Sequence, residues 1–354
     1  MTIVKISSDA DIRAAAALAF SEHARSVAQL PFLPARTLAD YEGRIEWMVR
    51  EGSVYALAEG GEMAAFLGAF TVEDFRNEGP AAYSPDWCMG FAEGPGARGG
   101  MDASGAAFTT RATRALLRAF LSEAEGAALS AHGASVFASR PEVREAFSLS
   151  GYGGIVLDAA RPAEALSLAL SERRGRAREE TPRSPEIAIR RATTADAEAL
   201  SELDGKLGAH IRSAPVLMPG AHGSTADEWA QWLSKPEAAA FIATDEGVPA
   251  GFMKAEGPQF DVSFAVQSTE TFAIDGLFVE PERRGRGIAR ALLEAIVGEA
   301  IARGKRLVSV DCETMNPEAF GFWTGWFAPV SWSLERRWGR VAPRSFQRSA
   351  FARR

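Results

Sequence analysis

Cysteine is nearly missing from this chain: Cys88 and Cys312 are the only two in 354 residues. That excludes a disulfide scaffold, and neither sits at a metal-ligand spacing, so no metal is expected. Long apolar runs are missing too. None reaches the roughly 18 residues that a membrane-spanning helix needs, and the opening Met1-Thr2-Ile3-Val4 lacks the pattern of a signal peptide. A cytoplasmic protein with no membrane partner is expected. Positive charge is not in excess either: 39 lysines and arginines against 46 aspartates and glutamates give a net charge of −7 and an isoelectric point near 5.4. Nucleic acid is therefore not expected as a partner, because its phosphates call for a basic footprint. Tyrosine is scarce and one-sided. Tyr41, Tyr55, Tyr83 and Tyr152 all fall in the first half, so the second half has no phenol to offer as an acid.

What is present is organised around residues 271–305, TFAIDGLFVEPERRGRGIARALLEAIVGEAIARGK. Residues 273–279 form a short, mostly apolar run that suits a buried strand, ended by Pro281. Arg283-Arg284-Gly285-Arg286-Gly287 is a turn. From Ile288 the apolar residues Leu292, Leu293, Ile296, Val297, Ala300 and Ile301 recur at helical spacing, and Gly304 stops the helix. A glycine turn feeding a helix N-terminus presents unpaired backbone N–H groups and the positive end of the helix dipole, which suits a phosphate or pyrophosphate. The turn's arginines add charge at contact distance. A dinucleotide fingerprint is excluded because its third glycine is missing, and a P-loop because Gly-Lys-Ser/Thr is missing.

The remainder reads as two copies of one α+β unit. Ile3-Val4-Lys5-Ile6 followed by Ser8-Asp9-Ala10-Asp11 has its counterpart in Ile187-Ala188-Ile189-Arg190 followed by Thr194-Ala195-Asp196. Helices are expected over 12–20, 38–49, 109–128 and 196–207, and on a segment carrying Trp229 and Trp232 that Thr225 or Asp227 caps. Hairpins are expected around Gly60-Gly61 and around Asp245-Glu246-Gly247. Strands are expected over 87–91, 134–138 and 155–157. Residues 93–105 read as a glycine-rich mobile stretch, 210–223 as a loop bracketed by His210 and His222, and 257–267 as irregular. Ser135 to Glu142 and Val308 to Glu318 run in parallel, each a strand leaving for a helix whose first turn takes a proline. Residues 171–185 combine charge, glycine and proline with little apolar content and read as a linker between domains 1–170 and 186–354.

Arg284-Gly285-Arg286-Gly287-Ile288-Ala289, behind a strand ending in Val279-Glu280-Pro281, resembles the acetyl-CoA loop of the GNAT superfamily of N-acetyltransferases. The resemblance implies two tandem α+β domains, each a mixed, mostly antiparallel central sheet flanked by helices, with the loop kept in the second alone. It implies acetyl-CoA as co-substrate, held by those six residues and by the backbone of Leu277, Phe278 and Val279, along which the pantetheine pairs like an added strand. Asn316-Pro317-Glu318-Ala319-Phe320-Gly321-Phe322-Trp323 is similar to the family's asparagine-to-tyrosine helix. Asn316 is then a cofactor contact, and Trp323 stands where the tyrosine acid usually does; an indole is no practical acid. Ala273 occupies a common acidic position. For a base the strands leave Asp275, Asp311 and Glu313, the last two on one face by the period of two. Trp229, Trp232, Trp326 and Trp332 either line an apolar pocket or belong to the core.

The implied activity is transfer of an acetyl group to a primary amine of a small molecule by direct attack. Acetylation of a peptide or protein amine, a non-catalytic acyl-CoA sensor, and a repeat kept for assembly stay open, and a homodimer is compatible with all of them. The first half, lacking the loop spacing, is expected not to bind the cofactor.

Overall fold

The computed structural model describes residues 2–92, 103–124, 129–180, 187–257 and 262–338. The expected glycine-rich stretch falls mainly outside them, as does part of the irregular segment.

The chain opens with β1 (Thr2–Lys5), α1 (Asp9–Gln29) and α2 (Leu38–Glu51). Ser8 caps α1 by accepting the Asp11 N–H, and Thr37 with Asp40 makes a capping box on α2. Next come β2 (Gly52–Glu59), β3 (Glu62–Val72), β4 (Ala81–Ser84), β5 (Met89–Phe91), α3 (Ala103–Ala124), β6 (Ala131–Phe137), α4 (Pro141–Ser148), β7 (Gly153–Pro162) and α5 (Ala163–Glu180). The second half runs β8 (Ile187–Arg191), α6 (Ala197–Arg212), α7 (Ala226–Leu233), β9 (Ala239–Asp245), β10 (Val248–Glu256), β11 (Thr271–Val279), α8 (Ile288–Ala302), β12 (Leu307–Glu313), α9 (Pro317–Thr324) and β13 (Ala328–Arg337).

The expected elements are present, with informative differences. Residues 171–180 of the expected linker are helical, because α5 continues from an apolar start: Ala163, Leu166 and Leu170 pack into the core of the second half. The helix expected over 196–207 extends to Arg212, so His210 is helical. Trp87 lies in a 3-10 turn (Asp86–Cys88) rather than a strand, and the short β4 was not foreseen. Ile301 is 40% exposed, although Ile288, Leu292, Leu293, Ile296, Val297 and Ala300 are buried as the helical spacing requires. Each such buried aliphatic side chain contributes roughly 1.5–3 kcal/mol.

The strands form one mixed sheet in the order β1-β2-β3-β4-β6-β13-β7-β12-β11-β10-β9-β8, with β5 beside β3. Two neighbouring pairs are parallel, β4 with β6 and β11 with β12. The sequence resemblance implied two central sheets; the structure joins them. The last strand of each half crosses into the other: β13 pairs with β6 of the first half, β7 pairs with β12 of the second, and the two travellers pair with each other. Packing follows the exchange. Leu157 and Ala159 of β7 belong to the core around α8, while Leu334 of β13 belongs to the core of the first half.

Candidate active site

The turn after β11 has the conformation its glycines permit. Gly285 and Gly287 have φ of 75° and 79°, the left-handed region. A Cβ at either would meet open space, which leaves room for a ligand against the backbone. Gly287 is the N-cap of α8 and no side chain caps the helix, so its first N–H groups keep their capacity for an anion. The arginines are held by carboxylates. Arg283 and Arg286 both pair with Asp245 at the end of β9, the latter at 2.6 Å, and Arg284 pairs with Glu318 while its Nε donates to the Val279 carbonyl at 3.0 Å. Two guanidiniums share one carboxylate, and the Arg286 hydrogen bond, chiefly, holds Asp245 below the usual carboxylate range.

Leu277, Phe278 and Val279 are paired with Met253, Phe252 and Gly251 of β10 on one side. On the other side the ladder with β12 runs only from Thr271–Leu307 to Ile274–Val310. Beyond Ile274 the β12-facing edge of β11 is therefore open to an added strand. Gly276, with φ of 143°, lies at the irregularity between β10 and β11 that opens this edge.

Asp275 and Asp311 are the next residues after the last parallel pair, one on each strand, and both line a cavity of 770 Å³. Asp311 also stands directly opposite Asp158 of β7. Asp158 is buried, accepts the Ser331 hydroxyl at 2.7 Å and lines the same cavity. Three adjacent strands thus present a carboxylate each. Asp275 is engaged by Lys254 at 3.0 Å. Glu313, the third expected base, is half-buried and does not line the cavity. Among the described residues, no group of three or more metal-ligating side chains is placed to hold a metal.

Asn316 is buried and caps α9, its Oδ1 accepting the Ala319 N–H at 3.3 Å. Trp323 and Trp326 are core residues. Trp229 and Trp232 line a second cavity, of 360 Å³, with Lys254, so the Asp275–Lys254 pair stands between the two cavities. His210 is half-buried and His222 exposed, and neither lines the larger cavity. Of the four tyrosines, Tyr83 lines it, but β4 lies four strand spacings from β12, roughly 19 Å. The side chain bridges part of that distance: burial, chiefly, raises the Tyr83 pKa and the charge of Asp158, the residue opposite Asp311, adds to it.

In the first half an arginine stands where the second half has Asn316. Arg140 precedes Pro141 as Asn316 precedes Pro317, and its guanidinium is buried on Glu22 with a second bond to Glu142 at 3.0 Å. Glu22 also accepts the Phe91 N–H at 3.2 Å. These groups make a buried ionic plug that joins α1, β5 and the start of α4. Sequence reading noted the missing loop in this half but not Glu22, which comes from the distant α1.

The second half thus combines a mixed sheet opened at one parallel pair with a glycine turn that starts a helix. Residues 211–326, within the second half, match the model of the Acetyltransferase (GNAT) family. An N-acetyltransferase of Methanocaldococcus jannaschii is 29% identical over 101 residues, a match covering 27% of this chain and 43% of that protein's length. The GCN5-related N-acetyltransferase from Sphaerobacter thermophilus shares the fold across 95% of both chains, at 15% identity and a TM-score of 0.51. A tandem GNAT protein from the clavulanic acid biosynthesis pathway superposes over 95% of this chain and 98% of that one, at 14% identity and a TM-score of 0.40. Among the described residues, no helix is long and apolar enough to cross a membrane.

Proposed function

We propose that the chain transfers an acetyl group from acetyl-CoA to a primary amine of a small molecule by direct attack, with domain 186–354 as the transferase. In this reading domain 1–170, joined through 171–185, braces it and walls the acceptor site. The observation that carries the proposal is the pair Asp275 and Asp311, set where the β11–β12 ladder ends and facing a cavity that both halves line. A cleft of 770 Å³ walled from two sides suits a small acceptor.

When bound, acetyl-CoA supplies an activated acyl group as a thioester. The backbone N–H groups of Arg286, Gly287, Ile288 and Ala289 hold its pyrophosphate, with Arg284 and Gly285 shaping the turn, while Leu277, Phe278 and Val279 receive the pantetheine along the open edge. Asn316 orients α9 against that edge by its cap. Asp311 takes the proton that the acceptor ammonium must lose before its nitrogen can attack. Asp275, tied to Lys254, positions the ammonium by charge, and Glu313 is left as a distant alternative. Solvent returns the proton to the departing thiolate, since Trp323 is buried and no second-half tyrosine exists.

Calorimetric titration with acetyl-CoA tests the binding half of this reading. One site per chain is expected, lost in Gly287→Glu, which strains a left-handed position and fills the cradle. Asp311→Asn should keep that site while thiol release on a panel of amines falls about 10²–10⁴-fold. Two sites would restore the first half as a binding domain; binding without thiol release on any amine or peptide would leave a sensor.

A further inference from the structure

This inference rests on the acetyl-transfer reading and concerns the chemical class of the acceptor. Two arginines line the 770 Å³ cavity, and their situations differ. Arg76 has its charge matched, with Nε 3.1 Å from Glu335. Arg44 does not. Among the described residues its guanidinium makes no ion pair, and it lies 3.7 Å from the centre of the Phe264 ring and 5.6 Å from that of Trp87.

The surroundings sharpen the contrast. A second guanidinium, Arg36, sits 4.0 Å from the same Phe264 ring and donates to the carbonyls of Phe264, at 2.6 Å, and Gln267. The nearby carboxyl, Asp86, is buried, accepts the Ser263 hydroxyl at 2.6 Å and the Ala265 N–H at 3.4 Å, and has its pKa raised by that burial. Burial, then the charge of Arg36, push the Arg44 pKa down. Asp86 and Asp40 act on Arg44 through space, but among the described residues neither makes an ion pair with it, so its guanidinium donors remain for an incoming anion. The sheet wall presents the opposite sign through Asp158, Asp275 and Asp311. Between the two runs an aromatic surface: the Trp47 ring is 5.1 Å from Phe70 and 6.4 Å from Trp87, both edge-on.

We propose that the acceptor is amphoteric, with its amine toward Asp311 and Asp275, a carboxylate on Arg44, and an apolar or aromatic body along Trp47, Phe70 and Trp87. The first half then confers specificity rather than support alone. A neutral or purely cationic amine would leave the Arg44 donors without a direct partner.

Matched pairs whose carboxylate lies across a ring from the amine test this: 4-(aminomethyl)benzoate against benzylamine, and 4-(2-aminoethyl)benzoate against phenethylamine. Binding of each pair, by tryptophan fluorescence for the first and calorimetry for the second, is measured beside thiol release. The intact protein should favour the carboxylate member at least about tenfold, or 1.4 kcal/mol. Arg44→Met should bring that ratio close to one, and Arg44→Lys should restore part of it, with acetyl-CoA titration as the control for folding. Absence of preference in the intact chain, its persistence in Arg44→Met, or failure of all four amines to bind overturns the proposal. Carboxylate-dependent binding without thiol release would keep this assignment and remove acetyl transfer, whereas thiol release without the preference would do the reverse.

Discussion

At the scale of single residues, His132 shows how hydrogen bonding fixes a protonation state. Its Nε2 lies 2.9 Å from Ser84 Oγ and its Nδ1 2.6 Å from Tyr152 Oη. The one Ser84 proton goes to the Gly68 carbonyl at 2.7 Å, so Ser84 accepts from Nε2–H and Nδ1 accepts from the tyrosine. A second ring proton would face a donor. Burial, with no compensating charge, lowers the His132 pKa to about 3 from 6.5. Between those values the unfolded chain binds a proton that the folded one refuses, so stability is complete above pH 6.5 and is lost as pH falls toward 3. His23, also pushed down by burial, acts in the same direction. Urea unfolding should show stability falling by about 1.4 kcal/mol per pH unit from His132 between pH 6.5 and 4.5, before most carboxylates titrate. His132→Gln should remove that slope; an unchanged slope would mean that the ring is solvated or charged in the fold. None of this was readable in the sequence, since Ser84, His132 and Tyr152 meet only through tertiary packing.

At the scale of elements, the two halves of the repeat differ in how much of each is set by local sequence. The β11-turn-α8 unit was legible because each part is local: alternation, left-handed glycines, and a periodic apolar face all lie within 271–305. Its counterpart in the first half was legible only as a departure from that pattern. What the structure adds in that half is the buried set Glu22, Arg140 and Glu142, whose bonded partners are 118 residues apart at the widest. The side chains of Arg140 and Glu22 are 5% and 2% exposed, so neither charge can turn to water when the other is removed. Arg140→Met should therefore cost about 3–5 kcal/mol, read as a lower urea midpoint. Adding Glu22→Gln should recover part of it, because the uncompensated charge is then gone. A loss below about 1 kcal/mol in the single variant would show that the plug is hydrated. The same locality explains the linker reading: Arg173, Arg174 and Arg176 looked like a tether, whereas the helix that carries them is anchored upstream by Leu166 and Leu170.

At the scale of the whole molecule, the exchange of last strands decides how the halves behave. Sequence pattern says that residues 153–162 and 328–337 can pair, because alternation marks a strand, but it cannot say which neighbour a strand takes. The structure sets β7 between β13 and β12, and β13 between β6 and β7. Each half therefore completes the other's sheet, and separating them would strip β12 and β6 of a neighbour and bare two long edges. The apolar side chains that β7 and α5 lend to the α8 core would be exposed at the same time. A protease site introduced between residues 180 and 187 cuts the chain without touching either exchanged strand. The nicked protein should elute as one particle at native size, unfold in one transition seen alike by fluorescence and circular dichroism, and keep its acetyl-CoA site. Separation of the fragments without denaturant would mean that the exchanged pairs add little to cohesion, and two transitions would mean that the halves fold as independent domains. Retention of a single transition would also explain why a first half without a cofactor loop persists: β12, one wall of the site, is held in place by a strand from that half.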